Sequence, residues 1–398
     1  MMNRSVLILE QQSWKGGAQQ VLLNVLGALG KDFRPVVAFP GDGPFRDRLQ
    51  DDGIETLTYP LGTYRPGKKS WGEMLAFAWR TVVCTLKLIQ IILSRKICMV
   101  YINGPRCLPS GVMAARLTGR PTLFHLHNVL TRPAETLLVS WFAQRACKII
   151  ACSNAAAESL LKSRPGIKSR ISILYNPAPE LPLGKSVSTS RPHTPIELGV
   201  VGRITEGKGH HVLIDAISKL APRIGKSIQL TIVGAPARQS SEDESYLVRL
   251  KAHAKSLELD KQIVWAGYQH DVEPFYQSMD VLAVPSVGTE GLPVVVLEAM
   301  QRGIPVIATN TGGISEIVQN EMNGLTVPSG DSEELAKALV RLQSNPALFE
   351  RLSSGARATL NPRFSPELFS LAIRRVVLEL CPPARTTQVL HRDAEVGK

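Results

Sequence analysis

Several common chemistries are made improbable by what the chain does not contain. Its six cysteines, Cys84, Cys98, Cys107, Cys147, Cys152 and Cys381, form no CxxC pair and show no metal-ligand spacing. Most lie within apolar runs, which predicts buried free thiols in a reducing compartment. Neither the GxGxxG fingerprint nor the GxxxxGK[ST] loop is present where a strand turns into a helix, so a dinucleotide oxidoreductase lacks its signature. No DxD-type carboxylate pair stands near the motifs below, and no metal or cofactor is expected. There is no internal repeat of solenoid length. Arg4 is followed by only four apolar residues, 6–9, before Glu10, too few for the apolar core of a signal peptide. A cytoplasmic location is therefore expected, and residues 6–9 read as a first buried strand.

The apolar run 75–93 tempts a transmembrane reading, but it contains Arg80 and Lys87. Charges near a bilayer centre cost about 3 kcal/mol each. Leu75, Trp79, Val82, Leu86, Ile89 and Leu93 recur at helical intervals, which predicts a helix packed on a sheet. Lys68, Lys69 and Trp71 just before it keep a membrane-surface helix open as the alternative.

What the chain does contain is globular: 44% hydrophobic and 20% charged residues over 398 positions, enough for two domains. Its formal charge of +12 is one-sided. Residues 1–180 hold 23 Lys and Arg against 11 Asp and Glu, whereas residues 181–398 hold 23 of each. An excess confined to one half suggests an anionic partner, such as a membrane surface or an acidic polymer.

Short apolar runs alternate with helical patterns in both halves, which implies parallel strands in doubly wound sheets. Expected strands include residues 6–9, 34–39, 55–59, 99–102, 122–126, 148–152 and 171–174, then 198–201, 230–233, 263–265, 281–284 and 306–308. Between the halves the composition shifts to Pro177, Pro179, Pro182, Gly184, a Ser/Thr run, Pro192 and Pro195. The expected division is a domain at 1–180, a linker at 181–195, a second domain at 196–363, a helix at 364–380 and a mobile tail at 381–398.

Ligands of open α/β sheets bind beyond the carboxyl ends of the strands. The richest such stretch is VPSVGTEGLPVVVLEAM, residues 284–300. It reads as a strand end, a Gly-bearing loop and the first turns of a helix, with Glu290 and Glu298 eight positions apart. First-turn helix amides can hold an anion, and the carboxylates can accept from hydroxyls. A phosphorylated sugar needs that combination. A second stretch, GRITEGKG at 202–209, holds Arg203 and Lys208 in a loop after a strand, and that pair suits a diphosphate. Gly16-Gly17-Ala18 follows the first strand, and Thr311-Gly312-Gly313 follows another. Each could approach a ligand or serve as a plain turn. His125 and His127 fall on one face of a strand end, with no carboxylate or thiol nearby to complete a metal set. His127, nearer the tip, is the preferred functional histidine, with His125 as the alternative.

Taken together these motifs resemble family 4 retaining glycosyltransferases of the GT-B fold, over essentially the whole chain. The match is tightest in GRITEGKGHHVLIDA, DVLAVPSVGTEGLPVVVLEAM and GIPVIATNTGGISEIV, and looser at Gly16-Gly17-Ala18, His127 and Tyr175-Asn176-Pro177. The resemblance implies two Rossmann-like α/β domains facing across a cleft, with a C-terminal helix at 366–380 crossing back to the first domain. It implies a nucleotide-sugar donor held mainly by the second domain, a glycan or lipid-linked acceptor, and no nucleic-acid partner. Arg203 and Lys208 would bind the diphosphate, Glu298 the ribose, and Glu290 with Gly291, Leu292, Pro293 and Val294 the sugar. Gly16 and Gly17 would lie near the phosphates, and His127 would reach the sugar from the first domain. A nucleotide-sugar epimerase or a phosphorylase of the same fold, and a non-catalytic protein that binds anionic membranes, stay open as alternatives.

Overall fold

The computed structural model describes residues 4–62, 71–180, 195–224, 228–237, 240–360 and 362–383. The expected linker at 181–195 lies outside them except for residue 195, as do Lys68, Lys69 and the tail from 384.

Two parallel sheets form the frame. The first contains β1 (Arg4–Glu10), β2 (Phe33–Phe39), β3 (Glu55–Thr58), β4 (Ile97–Asn103), β5 (Thr122–Leu126), β6 (Lys148–Ala151) and β7 (Ile171–Ile173), in the order β3-β2-β1-β4-β5-β6-β7. The second contains β8 (Ile196–Val201), β9 (Ile228–Val233), β10 (Ile263–Gly267), β11 (Val281–Val284), β12 (Val306–Thr309) and β13 (Gly324–Val327), in the order β10-β9-β8-β11-β12-β13. The central strands are near-continuous apolar runs because helices cover both faces of each sheet, which leaves no solvent side for polar residues to alternate onto. β1 and β11 show it, with Val6 to Glu10 and Val281 to Val284 all buried. The strand order reverses between β1 and β4 and again between β8 and β11. Those two reversals open the crevices at the strand ends. The motif loops at 11–17, 202–209 and 285–293 sit on them.

The helix Pro366–Leu380 leaves the second domain and packs on the helix Gly17–Leu29 of the first. Phe369, Ile373 and Val377 join the core beneath that helix, with Val21, Leu22 and Val25. Lys148 Nζ meets Glu379 Oε1 at 2.8 Å, and Arg374 pairs with Asp32. Cys98 and Cys381 are disulfide-bonded, with Cα atoms 6.1 Å apart. This corrects the expectation of free thiols throughout: two cysteines 283 positions apart are brought together by the returning helix. Cys84, Cys107 and Cys152 are free and buried, while Cys147 is free and exposed.

The helix Trp71–Ser94 departs from its expected packing. Its buried residues are Cys84, Thr85, Leu88, Ile91 and Ile92. The stripe that periodicity assigned to the sheet faces out instead, with Leu75 71% and Trp79 69% exposed, and Val82, Leu86 and Leu93 exposed too. The helix is apolar on two faces, so periodicity alone could not say which one the sheet would take. It is also long and apolar enough to cross a membrane by length and composition.

A carboxylate fastens the two domains. Glu316, in the 3₁₀ turn Gly312–Glu316, accepts from Asn154 N and Ala155 N at 2.9 Å each. It also accepts from Asn154 Nδ2 at 2.7 Å and Tyr175 Oη at 3.1 Å. The two amides open the helix Asn154–Leu161 of the first domain, whose dipole favours an anion there. Glu316→Ala is expected to cost about 1–2 kcal/mol, read as a lower urea midpoint at unchanged slope; an unaltered midpoint would show that this contact adds nothing.

Candidate active site

Glu290 links the loops that follow β8 and β11. Lys208 Nζ lies 2.8 Å from its Oε1, and Ser286 Oγ donates to the same oxygen at 2.7 Å. Burial pushes the carboxyl's pKa up. The Lys208 ammonium, the Ser286 hydroxyl and the field of Arg203 more than offset this, so the net shift is downward and Glu290 is ionised. Arg203 is exposed at the mouth of a cleft lined by Gly202, Lys208, His210, Ser286 and Val295. Lys208 is held in place by its short 3₁₀ turn, which ends at Gly209 with φ 68°. A side chain there would run into the Pro285 carbonyl. Only glycine lets the loop carrying Lys208 lie directly on the loop carrying Glu290.

Glu298 sits one turn into the helix Val294–Gln301. Tyr276 Oη donates to its Oε2 at 2.6 Å, and Arg302 Nη1 donates to its backbone carbonyl at 2.6 Å. Leu292 and Val294 are buried under the loop, with Pro293 capping the helix. The Leu292 carbonyl accepts from Asn176 Nδ2 of the first domain at 2.8 Å.

The first domain meets this loop backbone to backbone. A Cβ on Gly291 would overlap the His127 carbonyl oxygen. A Cβ on Gly17 would lie 3.6 Å from Val294 Cγ2, so the helix that starts at Gly17 and the helix that starts at Val294 open near each other. Gly16 caps the first of these helices.

His127 follows β5 and is half-buried, whereas His125 is fully buried. Their rings lie 3.9 Å apart, as strand alternation requires of side chains on one face. His125 Nδ1 shares a hydrogen bond with Tyr101 Oη at 2.5 Å. His127 Nε2 is 2.7 Å from Asn103 Oδ1, and its Nδ1 is buried without a partner. Desolvation brings the His127 pKa down to about 3, so the ring is neutral. Asn103 Nδ2 in turn donates to Glu10 Oε2 at 2.6 Å. Among the described residues no group of three His, Cys, Asp or Glu side chains could hold a metal ion.

Two family models match the chain in tandem, Glycosyltransferase Family 4 over residues 15–179 and Glycosyl transferases group 1 over residues 185–359. The chain belongs to glycosyltransferase family 4. It is a glycosyltransferase of GT-B architecture. An uncharacterized glycosyltransferase of Haemophilus influenzae is 26% identical over 86% of this chain and 91% of that one. The lipopolysaccharide core biosynthesis glycosyltransferase LpsE of Rhizobium meliloti is 31% identical over 46% of this chain and half of its own length. Among solved structures, Anabaena Alr3699/HepE in complex with UDP-glucose superposes with a TM-score of 0.78 at 22% identity, covering 94% of this chain and 99% of that one.

The fold of this glycosyltransferase pairs Lys208 with Glu290, sets Gly291 against His127 and Gly17 beside Val294, and places Glu298 one turn into the helix that follows. Gly312 and Gly313 pack against the backbone of the loop that carries Glu290, where Gly313 N donates to the Glu290 carbonyl at 2.9 Å and a Cβ on Gly313 would overlap the Gly291 carbonyl. Sequence reading missed the roles of Tyr276, Ser286 and Asn103, and named Asn176 only within the looser Tyr175-Asn176-Pro177 match. Ser286 lay inside the focal stretch, four positions before Glu290. Tyr276 and Asn103 carry no local signal, because their partners come from other strands and helices.

Two outcomes follow from this geometry. Gly291→Ala should abolish transferase activity by forcing the loop away from His127, while far-ultraviolet dichroism stays native; retained activity would show that the domains need not approach so closely. For Glu290, the folded pKa lies below the ordinary 4.5. Its stabilisation is therefore complete above that value and lost as pH falls through the folded one. In Lys208→Met, burial without the ammonium raises that pKa and reverses the contribution. The stability gap between wild type and Lys208→Met should be widest at neutral pH and close in acid, read by urea titration across pH 3–7; a gap independent of pH would sink the assignment.

Proposed function

We propose that this protein transfers a hexosyl group, with retention, from a nucleotide-diphosphate sugar to a glycan or lipid-linked acceptor in cell-surface polysaccharide or glycolipid synthesis. The observation that carries this reading is the cationic pair Arg203 and Lys208 set against the ionised Glu290, in the loop that leads into the helix Val294–Gln301. The names of relatives in lipopolysaccharide core and capsule synthesis support the product class. Similarity of fold to a protein holding UDP-glucose supports the donor class.

Breaking the anomeric C–O bond builds positive charge on the sugar and negative charge on the leaving diphosphate. Arg203, Lys208 and the helix amides stabilise the second of these, and they do so most in the transition state. With cations already in that place, the reaction is metal-independent. Lys208 and Glu290 satisfy each other in this structure, and the donor separates them. Lys208 turns to the diphosphate and Glu290 accepts from sugar hydroxyls. Glu298, fixed by Tyr276, accepts from the ribose. Glu290 orients the sugar and forms no covalent intermediate. The acceptor attacks from the face the diphosphate leaves, and the leaving phosphate takes its proton.

The exposed stripe of the helix Trp71–Ser94, on the domain that holds the whole charge excess, favours a peripheral site on the cytoplasmic face of the membrane. There Trp71, Leu75 and Trp79 enter the headgroup region, and a lipid-linked acceptor is within reach.

Arg203→Ala and Lys208→Ala should each lower turnover by about 10²–10³-fold with the fold retained; near wild-type activity in either purified variant rules out the diphosphate role. A thermal-shift screen of UDP-, GDP- and ADP-sugars should single out one donor base. Sedimentation with anionic vesicles should be strong at low salt and weaken in Trp79→Glu; indifference to lipid charge and to that substitution would reject the membrane surface.

A further inference from the structure

The first sheet carries a row of buried polar side chains that the transfer step above does not employ. Glu10, Asn103 and His125 are register partners at the carboxyl ends of β1, β4 and β5. Glu10 and Asn103 are 0% exposed. A buried carboxylate is tolerated only when its oxygens are satisfied, and these are. Oε1 accepts from Gln11 N at 2.7 Å, Gln12 N at 3.2 Å and Gln19 Nε2 at 2.8 Å. Oε2 accepts from Asn103 Nδ2 at 2.6 Å.

Burial raises the Glu10 pKa to about 7, so the arrangement follows its charge. Above that pH the ionised carboxylate only accepts, and Asn103 turns its NH2 toward Glu10. Its Oδ1 then faces His127 Nε2 at 2.7 Å. An amide oxygen cannot donate, so Nε2 carries the ring proton. Nδ1 is left with a lone pair, buried and without a protein partner. The opposite tautomer would press two lone pairs together at Asn103 and strand an N–H at Nδ1.

We infer that Glu10 and Asn103 are positioning residues that hold His127 in its Nε2–H tautomer, so that Nδ1 serves as acceptor for a hydroxyl of the transferred sugar. The last clause rests on the donor reading proposed above; the tautomer does not. His127 so held is a fixed acceptor and not an acid. A hydroxyl that donates to it keeps its own oxygen electron-rich, which favours the positive charge developing on the sugar ring.

Glu10→Gln tests this with almost no change of shape. The new amide keeps its oxygen on the three N–H donors and turns its NH2 to Asn103. Asn103 must then flip, present its own NH2 to His127 Nε2, and drive the ring proton to Nδ1. Long-range ¹H–¹⁵N spectra of the full chain labelled at histidine read the tautomer, with His127→Gln assigning the signal. At about pH 8.5, where Glu10 is ionised, the expected result is Nε2–H in wild type and Nδ1–H in Glu10→Gln. An Nδ1–H or doubly protonated ring in wild type overturns the inference, and so does a Glu10→Gln ring unchanged from wild type. Should Glu10→Gln fail to fold, the wild-type spectrum alone decides.

Calorimetry with UDP-glucose, GDP-mannose and ADP-glucose tests the hydroxyl clause. Whichever sugar wild type binds should bind about tenfold more weakly to Glu10→Gln, while the matching nucleoside diphosphate binds unchanged. Equal loss for both ligands makes the role merely structural and overturns it. If wild type binds none of the three, the proposed donor site falls together with the hydroxyl clause, and the tautomer assignment is judged by the spectra alone.

Discussion

The two domains of this glycosyltransferase come together at a glycine. Gly291 lies against the His127 carbonyl, and Gly17 opens its helix beside Val294. Any side chain at Gly291 would hold the sheets apart, and the cleft would lose its near wall. The rest of the site depends on that approach. Asn176 can bond the Leu292 carbonyl, and Glu316 can cap a helix of the other domain, only because the backbones come this close. The returning helix Pro366–Leu380 adds a second attachment on the far side, with Ile373 and Val377 sharing the core beneath the helix Gly17–Leu29.

The electrostatics of the cleft follow from what is buried and what is paired. Glu290 keeps its charge because Lys208 and Ser286 answer it at one oxygen. His127 loses its charge because burial gives it only an amide to bond. The two sides of the cleft therefore differ: a set of charges on the second domain, and a neutral, oriented ring on the first. A phosphorylated sugar is polar in the same uneven way, anionic at the phosphates and hydroxylated at the ring.

The helix Trp71–Ser94 obeys a different rule from the core helices. It buries one apolar face and leaves another in the open. Exposed apolar stripes of this size on a basic domain have a physical cost in water. A surface that removes them from water, and that attracts the same positive charge, relieves it.

The sequence by itself determined the class of fold, because near-continuous apolar strands alternating with helices have no other way to bury both faces. It also drew attention to Arg203, Lys208 and Glu290, since each stands in a Gly-bearing loop that follows an apolar strand. Only the tertiary structure decided the partners. Tyr276 reaches Glu298 from the short helix before β11, Asn103 reaches His127 from β4, and Cys98 meets Cys381 through the returning helix. It also decided which apolar face of the helix Trp71–Ser94 the sheet took, and that Gly312 and Gly313 pack on the backbone of Glu290 and Gly291. These depend on which elements become neighbours, and long-range adjacency leaves no trace in the residues on either side of a given position.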